Sequence, residues 1–491
     1  MSHPARPPIP SIELAPGLTI PRVVMGLWQV ADMERDRPPL DAERAADSLA
    51  QHARAGFFAF DMADHYGSAE LIAGRLLARA LEPRPHAFTK WCPEPAAMTE
   101  AVVDAAIGRA RERLGVTQID LLQFHWWQYT HPGYIDALRE LARLREAGSI
   151  AHLGLTNFDT DHLQLLLGLN LPIVTNQVSF SLLDRRAAGR MSTLCAQSGV
   201  RLLAYGSLGG GFLTDAWVDQ PEPVHIPDWS KSKYRRFIDA IGGWAALQRI
   251  LKAAQQVGSR HGVSVANVAV RWVLEQPAVA AVIVGMRPGE RDHSQDNQAL
   301  FSFALDTDDH ARLNEALATT HPIPGDCGDE YRRPPFLTAS GDLSHHLATF
   351  PTAFPVSPVP AAPHRLRADS GTPWEPLAGY SRAVRDGDRI LVSGTTATHP
   401  GLGPVCEGDA AAQTVYALDK IIASIEALGG RREDIVRTRV FLRDVTRWQE
   451  VAEVHGRVLG DVLPANTMLG NATLIGPYEV EIEAEASVGS R

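Results

Sequence analysis

Four side chains that can donate or hold a proton stand near the ends of three apolar runs. Asp61 and Tyr66 follow the run at 57–60, Lys90 lies at the end of a second run, and His125 lies at the end of a third. A phenol can give a proton to a carbonyl oxygen, and a nearby ammonium lowers the pKa of that phenol. A carboxylate can hold the ammonium in place, and an imidazole can donate a hydrogen bond to the same oxygen. These residue types predict reduction of a carbonyl group, provided that the four side chains meet.

Alternating strands and helices would have to bring these side chains together. Apolar runs that predict strands alternate with amphipathic segments that predict helices, and Gly115 and Gly148 stand where two of the helices should end. This alternation is typical of a (β/α)8 barrel, in which the carboxyl ends of all strands share one face. The periodicity alone leaves a doubly wound sheet open as an alternative. The predicted strands are 22–28, 57–60, 87–91, 119–126, 150–157, 173–180, 200–207 and 280–285.

The motifs that carry these residues resemble those of the aldo/keto reductases. The pattern D-x-A-D-x-Y-G-x-A-E stands at 61–70, a Thr-Lys strand end stands at 89–90, and a strand ending in His stands at 121–125. The resemblance runs from about residue 20 to about residue 317. It implies a (β/α)8 barrel with Asp61, Tyr66, Lys90 and His125 as the catalytic tetrad, and with Tyr66 as proton donor. It thereby selects the barrel over the doubly wound sheet.

The hydride must come from a cofactor, because no side chain can supply one. The sequence has no G-x-G-x-x-G after a first strand. The family instead holds an extended NADP(H) or NAD(H) across the barrel mouth. The resemblance implies that Thr156, Asn157 and Gln177 bind the nicotinamide amide, that Tyr205 stacks on its ring, and that the Gly-rich segment 206–211 holds the pyrophosphate. The full set implied for the cofactor is Gly26, Trp28, Thr156, Asn157, Gln177, Tyr205, Gly206, Ser207, Leu208, Gly210, Gly285, Arg287, His293 and Asn297.

The adenosine end of this set departs from the family pattern. Many NADPH-preferring members carry an Arg four residues before the Asn that contacts adenine, and here that position is His293. Arg287 and Arg291 are near in sequence and can substitute, because a guanidinium pairs well with a phosphate. We therefore expect a preference for NADPH over NADH.

A long segment and several aromatic residues are expected to shape the substrate pocket. The segment 215–243 follows the seventh predicted strand, is rich in Pro, Trp and charged residues, and has no clean period. A loop of this length is usually functional, although a surface excursion stays open. The sequence does not identify the substrate beyond a small aldehyde, ketone or sugar-like carbonyl compound. The aromatic residues expected at the pocket are Trp28, Trp91, Trp126 and Trp127.

The composition changes after the predicted barrel. We expect a barrel domain at 1–322, a Pro-rich linker at 323–369 and a second domain at 370–491. The second domain resembles the Rid family of enamine and imine deaminases in its order of elements and in the segments 379–384, 392–394 and 480–484. The resemblance implies an α+β fold and a homo-oligomer, usually a trimer with the active site between subunits.

The expected pocket of the second domain lacks the family's anionic-substrate anchor. The family pattern P-x-R-[ST] reads Pro464-Ala465-Asn466-Thr467 here, so Asn466 replaces the Arg that would pair with a substrate carboxylate. Tyr380 and Glu481 stay in place, and Glu481 could position a water molecule. Assembly, ligand binding and altered hydrolysis are the alternatives for this domain. For the whole chain, a non-catalytic nucleotide-binding protein and a coupled reductase and imine hydrolase are the alternative functions.

Composition and charge narrow the class of protein. The 491 residues carry a net charge of −10 with no basic block, which disfavours a nucleic-acid surface. No apolar run is long enough for a membrane span or a secretory signal. The four cysteines are scattered, which fits reduced thiols in a cytoplasmic protein rather than a disulfide framework or a metal site. We therefore expect no metal, and we interpret His345 and His346 as a solvated pair.

Overall fold

A closed eight-stranded parallel barrel forms the first part of the chain. The computed structural model describes residues 8–94, 96–333 and 349–489. A short antiparallel hairpin of β1 (Ser11–Ala15) and β2 (Leu18–Pro21) precedes the barrel. The barrel strands are β3 (Val23–Gly26), β4 (Ala59–Asp61), β5 (His86–Trp91), β6 (Ile119–Phe124), β7 (Ile150–Thr156), β8 (Ile173–Ser179), β9 (Arg201–Tyr205) and β10 (Val279–Gly285), and β10 pairs with β3 to close the ring.

The predicted (β/α)8 barrel is confirmed, and the strands are buried on both faces because one side fills the interior and the other meets helices. The first predicted strand, 22–28, is shorter than expected, since Trp28 already begins a helix. The barrel helices are α1 (Trp28–Glu34), α2 (Ala42–Arg54), α3 (Ala69–Leu77), α4 (Glu100–Leu114), α5 (Gly133–Glu146), α6 (Thr160–Gly168), α7 (Arg190–Ser198), α8 (Trp229–Ala240), α9 (Gly243–His261), α10 (Val265–Leu274), α11 (Ser294–Ala299) and α12 (Thr307–Ala318).

Helix α8 corrects the expectation that 215–243 has no regular structure. The Asp228 side chain accepts a hydrogen bond from the Lys231 backbone N–H and so caps the first turn. Tyr234, Phe237 and Ile238 are buried, at the spacing of one helical face. The helical period is therefore present in the sequence, but it covers a single short face between Pro-rich and charged flanks.

A seven-stranded sheet forms the second part of the chain, with two helices packed on one face. The strands are β11 (Val356–Val359), β12 (Ala362–Ala368), β13 (Ala383–Asp386), β14 (Arg389–Thr395), β17 (Ile435–Leu442), β18 (Ala465–Leu469) and β19 (Val480–Ser487), with a separate hairpin of β15 (Thr398–His399) and β16 (Gly403–Pro404). The order in the sheet is β11-β12-β13-β14-β19-β17-β18, and it has the α+β architecture that the sequence predicts. The helices are α13 (Trp374–Ala378), α14 (Ala410–Ala427) and α15 (Trp448–Leu459).

The predicted linker at 323–369 is more structured than expected. It contains a 3-10 turn at Asp329–Tyr331 as well as β11 and β12. Pro358 fits in β11 because that strand lies at the edge of the sheet, where a missing backbone N–H does no harm. His345 and His346 lie outside the described residues.

The two parts meet along α6 and α14. His162 on α6 lies between two carboxylates: its Nδ1 is 2.8 Å from Asp159 and its Nε2 is 2.9 Å from Asp419 on α14. Arg457 on α15 adds a two-point contact to Asp161, with distances of 2.8 and 2.9 Å. The barrel and the sheet domain are therefore joined by charged contacts as well as by the chain itself.

Candidate active site

Asp61 and Lys90 form a buried ion pair at the carboxyl ends of β4 and β5. Lys90 Nζ lies 2.5 Å from Asp61 Oδ2 and donates a second hydrogen bond to the Met62 carbonyl at 2.9 Å. Asp61 Oδ1 accepts from the amide groups of Gln123 and Gln177, at 2.9 and 2.7 Å. The Lys90 ammonium is thereby held in place, and the second carboxylate oxygen of Asp61 is occupied by the two amide groups.

Tyr66 lies beside this pair in the turn after β4. Lys90 Nζ is 5.1 Å from the centroid of the phenol ring. Burial, and after it the charge of Asp61, raises the pKa of Tyr66 well above its ordinary value. The expectation that Lys90 lowers this pKa is therefore not what the structure shows: desolvation disfavours the phenolate, and the ammonium's charge is already shared with Asp61. The phenol stays protonated at neutral pH, which is the state that a proton donor needs.

His125 follows β6 directly and faces the same space. Its Nδ1 lies 3.3 Å from the Thr156 carbonyl oxygen, and its buried Nε2 has no hydrogen-bond partner among the described residues. Burial, and then the charge of Arg332, lowers the pKa of His125 well below its ordinary value, so the ring is neutral. Since a carbonyl oxygen can only accept, the proton sits on Nδ1 and leaves Nε2 as an acceptor. This differs from the expected role as a hydrogen-bond donor to the substrate carbonyl.

The four side chains open onto one cavity of about 360 Å³ at the barrel mouth. The structure thus brings together the tetrad that the sequence predicts. Thirteen of the residues expected at the cofactor line the same cavity: Gly26, Trp28, Thr156, Asn157, Gln177, Tyr205, Gly206, Ser207, Leu208, Gly210, Gly285, Arg287 and His293. Asn297 is buried on α11.

Two unpartnered polar atoms fit the predicted positions of an extended nicotinamide cofactor. Among the described residues, Ser207 Oγ and Asn297 Nδ2 are both buried without a hydrogen-bond partner. They lie in the segments expected at the pyrophosphate and the adenine. An unpaired buried donor or acceptor is costly, and a ligand that pairs with it recovers that cost. The residues present therefore fit such a cofactor.

The turn at 206–211 approaches α8 closely. Gly206 and Gly210 have positive φ values of 70° and 65°, and a Cβ at either position would overlap Tyr234. The N–H groups of Gly209 and Gly211 close turns to the carbonyls of Gly206 and Leu208. Glycine is required here both for the backbone conformation and for the packing of α8.

The predicted carboxamide-binding residues already bond to one another. The Tyr205 hydroxyl lies 2.8 Å from the side-chain amide of Asn157, and Gln177 Nε2 donates to Gln123 Oε1 at 2.7 Å. Thr156 Oγ1 donates to the Gln177 carbonyl at 3.3 Å. The side chains are therefore oriented before any ligand arrives.

Comparison with known proteins now identifies the barrel. Residues 22–318 match the family described as the aldo/keto reductase family. The chain belongs to this family. It is an NAD(P)-dependent oxidoreductase of carbonyl compounds by that membership.

Relatives and solved structures share parts of the chain. An aldo-keto reductase from Mycobacterium sp. (strain JLS) is 34% identical over 42% of this chain and 70% of its own length. Flagellar radial spoke protein 5 from Chlamydomonas reinhardtii is 29% identical over 40% of this chain, which spans only 43% of that relative. A glycerol dehydrogenase from Gluconobacter oxydans shares the fold, with 24% identity, a TM-score of 0.53, and coverage of 65% of this chain and 96% of its own.

The second part of the chain has a match of its own. Residues 372–488 match the family described as Endoribonuclease L-PSP. A Mycobacterium tuberculosis member of the YjgF/YER057c/UK114 family is 39% identical over 25% of this chain and 99% of its own, with a TM-score of 0.23. The resemblance of both parts to their families is thus confirmed.

Lys233, Glu330 and Tyr331 are among the residues in or behind the reductase cavity that the sequence did not indicate. Lys233 on α8 and Tyr331 after the barrel both line it, and Lys233 Nζ lies 2.5 Å from the Tyr331 hydroxyl. Glu330 is buried behind them and accepts from the Tyr205 hydroxyl at 2.9 Å and from Arg186 at 2.7 Å. No motif marks Glu330 and Tyr331, because they lie in a stretch that reads as linker.

The cations predicted for the adenosine phosphate differ in their availability. Arg287 lies 2.6 Å from Asp32 and within 3.6 Å of Asp228 and Glu290, so acidic neighbours surround it. Arg291 and His293 line the cavity and are exposed.

The residues predicted for the second pocket do not all converge. Thr438 on β17 pairs in register with Asn466 and Ala484, whereas Phe441 pairs with Glu481. Because 438 and 441 differ by an odd number of residues, Asn466 and Glu481 lie on opposite faces of the sheet. Asn466 Nδ2 donates to Thr438 Oγ1 at 2.9 Å.

Tyr380 lies on the side of Glu481. Its hydroxyl accepts from Arg382 at 3.0 Å, and Arg382 donates to the carbonyl of Gly394, where a Cβ would overlap the Glu481 carboxylate. Asn466 therefore stands apart from the other two predicted residues.

Within the part of the chain that the structure describes, no helix is both long and apolar enough to cross a membrane.

Proposed function

We propose that this protein reduces a small aldehyde, ketone or sugar-like carbonyl with NADPH, and that Tyr66 is the proton donor. The observation that carries this proposal is the meeting of Tyr66, the Lys90–Asp61 pair and His125 at one cavity. The reverse oxidation of the alcohol uses the same groups. A non-catalytic nucleotide-binding protein would have no use for a buried ion pair aimed at a phenol.

The side chains divide the work of the reaction. The cofactor, when bound, supplies the hydride. Tyr66 gives its proton to the carbonyl oxygen as that oxygen gains negative charge. Lys90 stabilises the phenolate that is left behind, and Asp61 keeps Lys90 in place. The Nε2 lone pair of His125 accepts a hydrogen bond from a hydroxyl group, either that of the alcohol product or one beside the carbonyl of a sugar-like substrate.

Replacing the phenol tests this assignment. Tyr66→Phe should bind NADPH with unchanged affinity, as measured by fluorescence titration, while turnover on a panel of carbonyl substrates falls by about 100-fold or more. Tyr416→Phe is the control, because Tyr416 is a buried phenol of the second domain whose hydroxyl has no hydrogen-bond partner among the described residues. Turnover that survives in Tyr66→Phe would refute the assignment.

The preference for NADPH rests on the positive side chains near the adenosine end. Arg291 and His293 are exposed there, and Arg287 can exchange a carboxylate for a phosphate. The kcat/KM values for NADPH and NADH decide this point. A clear preference for NADH would overturn it.

For the second domain we propose assembly into a homo-oligomer, with a trimer as the expected form. The sheet face opposite the helices carries Leu391, Phe441 and Leu469, of which Leu391 is 44% and Leu469 54% exposed. These apolar side chains stand among the ion pairs Arg439–Glu483 and Arg389–Glu485 on the same face, and such a mixture of apolar and charged groups is typical of a subunit interface. Asn466 stands in place of the Arg that would pair with a substrate carboxylate, which weighs against deaminase-like hydrolysis. The four free cysteines fit the reducing conditions of the cytoplasm.

Light scattering on the purified chain tests assembly. We expect a mass near three times 53.4 kDa, and Leu391→Glu should lower it to that of the monomer. Val224→Glu, at a fully exposed position of the barrel domain, should leave the mass unchanged. A monomeric parent protein at micromolar concentration would contradict the proposal.

A further inference from the structure

Three groups that bind transition metals converge next to Tyr66. They are a carboxylate oxygen of Asp64, a ring nitrogen of His65 and the sulfur of Cys92, and all three atoms lie within 4.8 Å of one another. Asp64 and His65 come from the turn after β4, and Cys92 directly follows β5. No metal-binding spacing is visible in the sequence, because the donors come from two separate segments.

The two segments are fastened to each other, so the donors are held near their positions. The Asp64 backbone N–H donates to the Lys90 carbonyl at 3.0 Å, and the Cys92 backbone N–H donates to Asp64 Oδ2 at 3.1 Å. His65 Nδ1 lies 2.9 Å from Asp64 Oδ1, and the His65 ring packs edge-on against Tyr66 with centroids 4.8 Å apart. An ion needs only a small local adjustment to bind all three.

An ion can reach these donors from the substrate cavity. His65 and Cys92 both line the cavity together with Tyr66 and His125. The side chains of His65 and Asp64 are 20% and 27% exposed. The cluster is therefore neither sealed in the core nor free on the surface.

The donor set selects the kind of ion. One sulfur, one nitrogen and one oxygen match Zn²⁺ and related first-row ions, whereas Mg²⁺ and Ca²⁺ prefer oxygen alone. Three protein donors leave a fourth tetrahedral position for water. We propose that Asp64, His65 and Cys92 form a zinc-binding site whose occupation inhibits the reductase. The binding stands by itself, and the inhibition rests on the function proposed above.

Binding changes the charge beside the proton donor. The Cys92 thiol releases its proton to water as the metal–sulfur bond forms, and the coordinated ion stays next to the Tyr66 ring. A nearby cation favours the phenolate, which has no proton to donate. The ion and its water molecule also occupy space in the cavity that a substrate needs.

Titration of the metal-free full-length protein with Co²⁺ tests the site without any activity measurement. We expect one equivalent to bind and to produce a thiolate-to-cobalt charge-transfer band in the near ultraviolet. Cys92→Ser should abolish the band, and His65→Gln should weaken binding by about tenfold or more. Cys195→Ser is the control, because Cys195 is also a buried free thiol but lies on α7.

Two results would overturn the site: a parent protein without the band, or a band that persists in Cys92→Ser. Circular dichroism verifies that each variant is folded. If Cys92→Ser does not fold, the loss of Co²⁺ affinity in His65→Gln tests the site instead. Zn²⁺ should inhibit turnover of the parent protein and of Cys195→Ser, and its inhibition constant should rise at least tenfold in His65→Gln. Binding without inhibition would overturn the inhibitory role. Co²⁺ titration of Tyr66→Phe tests the metal site separately from the catalytic assignment. A Tyr66→Phe variant that binds Co²⁺ and keeps its turnover would contradict the catalytic assignment and leave the metal site in place.

Discussion

Asp61 is the residue on which the geometry of the reductase site depends most. Its two oxygens accept from Lys90, Gln123 and Gln177, so one carboxylate fixes side chains from β5, β6 and β8. It is 4% exposed, and little water can replace these contacts. A single charge thereby holds both the ammonium beside Tyr66 and an amide at the expected nicotinamide site.

Asp61→Asn should therefore damage both stability and catalysis. The substitution leaves Lys90 buried without a counter-charge, and we expect the free energy of unfolding to fall by about 3 kcal/mol. Turnover should fall by about 100-fold because Lys90 is no longer held beside the phenol. Denaturant unfolding and steady-state kinetics measure the two effects. Asp47→Asn removes an exposed pair with Arg79 and should cost less than about 1 kcal/mol; equal losses in both variants would contradict this account.

At the level of single residues, the sequence predicts catalytic side chains best where they stand at the ends of predicted strands. The tetrad could be predicted because each member follows an apolar run, and strand ends of a barrel share one face. The direction of the Tyr66 pKa could not be predicted, because it depends on how completely the ring is buried. Tyr331 could not be predicted either, since only the folded chain returns it to the barrel mouth.

Helix α8 lies at the mouth of the barrel and contacts residues on two sides of the cavity. Its Ser230 hydroxyl accepts from Gln29 at 3.2 Å, and Trp229 packs 6.2 Å from Trp28, while its Tyr234 lies against the turn at 206–211. The helix was hidden in the sequence because its buried face comprises only three residues. Its placement required the folded barrel.

Gly206→Ala should weaken cofactor binding through this helix. The substitution forces an alanine into a left-handed conformation, and its Cβ would displace Tyr234 and with it α8. We expect the dissociation constant for NADPH to rise about tenfold, which corresponds to about 1.4 kcal/mol. Gly211→Ala carries similar backbone strain, but its Cβ would meet only the Lys231 side chain at 3.9 Å, so it is the control. Equal effects of the two variants would show that strain alone is responsible.

At the scale of the whole molecule, a continuous set of contacts runs from the second domain to the cavity. Asp419 contacts His162, and the ring of His162 stacks on the ring of Tyr129 with centroids 3.4 Å apart. The guanidinium of Arg332 lies 4.2 Å from the centroid of the same Tyr129 ring. Arg332, which follows Tyr331 in the sequence, donates a hydrogen bond to the Asn157 carbonyl at 2.6 Å. The second domain therefore supports the residues that wall the cavity.

The charge of His162 should make the stability of the joined domains depend on pH. Burial opposes the charged ring, but Asp159 and Asp419 outweigh it and raise the pKa of His162 to about 10. Since the unfolded value is near 6.5, the stabilisation is complete below about pH 6.5 and is lost as the pH rises toward 10. Between pH 7 and 9 we expect the free energy of unfolding of the parent protein to fall by about 2 kcal/mol more than that of His162→Gln. Denaturant unfolding at a series of pH values measures this difference, and the same pH dependence of the unfolding free energy in both proteins would contradict the expectation.

The fold of each half could be predicted because its own elements fill its own core. The contact between the halves could not, because His162 and Asp419 belong to helices whose outward faces carry no family motif. The sequence predicts a linker at 323–369 because proline is common there, and proline does not distinguish an edge strand such as β11 from an extended connection.

The position of Glu330 and Tyr331 has a consequence for recombination of the two halves. The match to the reductase family ends at residue 318, yet the wall of the cavity is completed twelve or so residues later. A gene fusion or deletion that joined another module at the family boundary would remove the carboxylate that Arg186 and Tyr205 share. Such a chimera would keep every family motif while losing part of its active site, so an exchangeable reductase module of this protein must include Glu330, Tyr331 and Arg332 rather than end at 318.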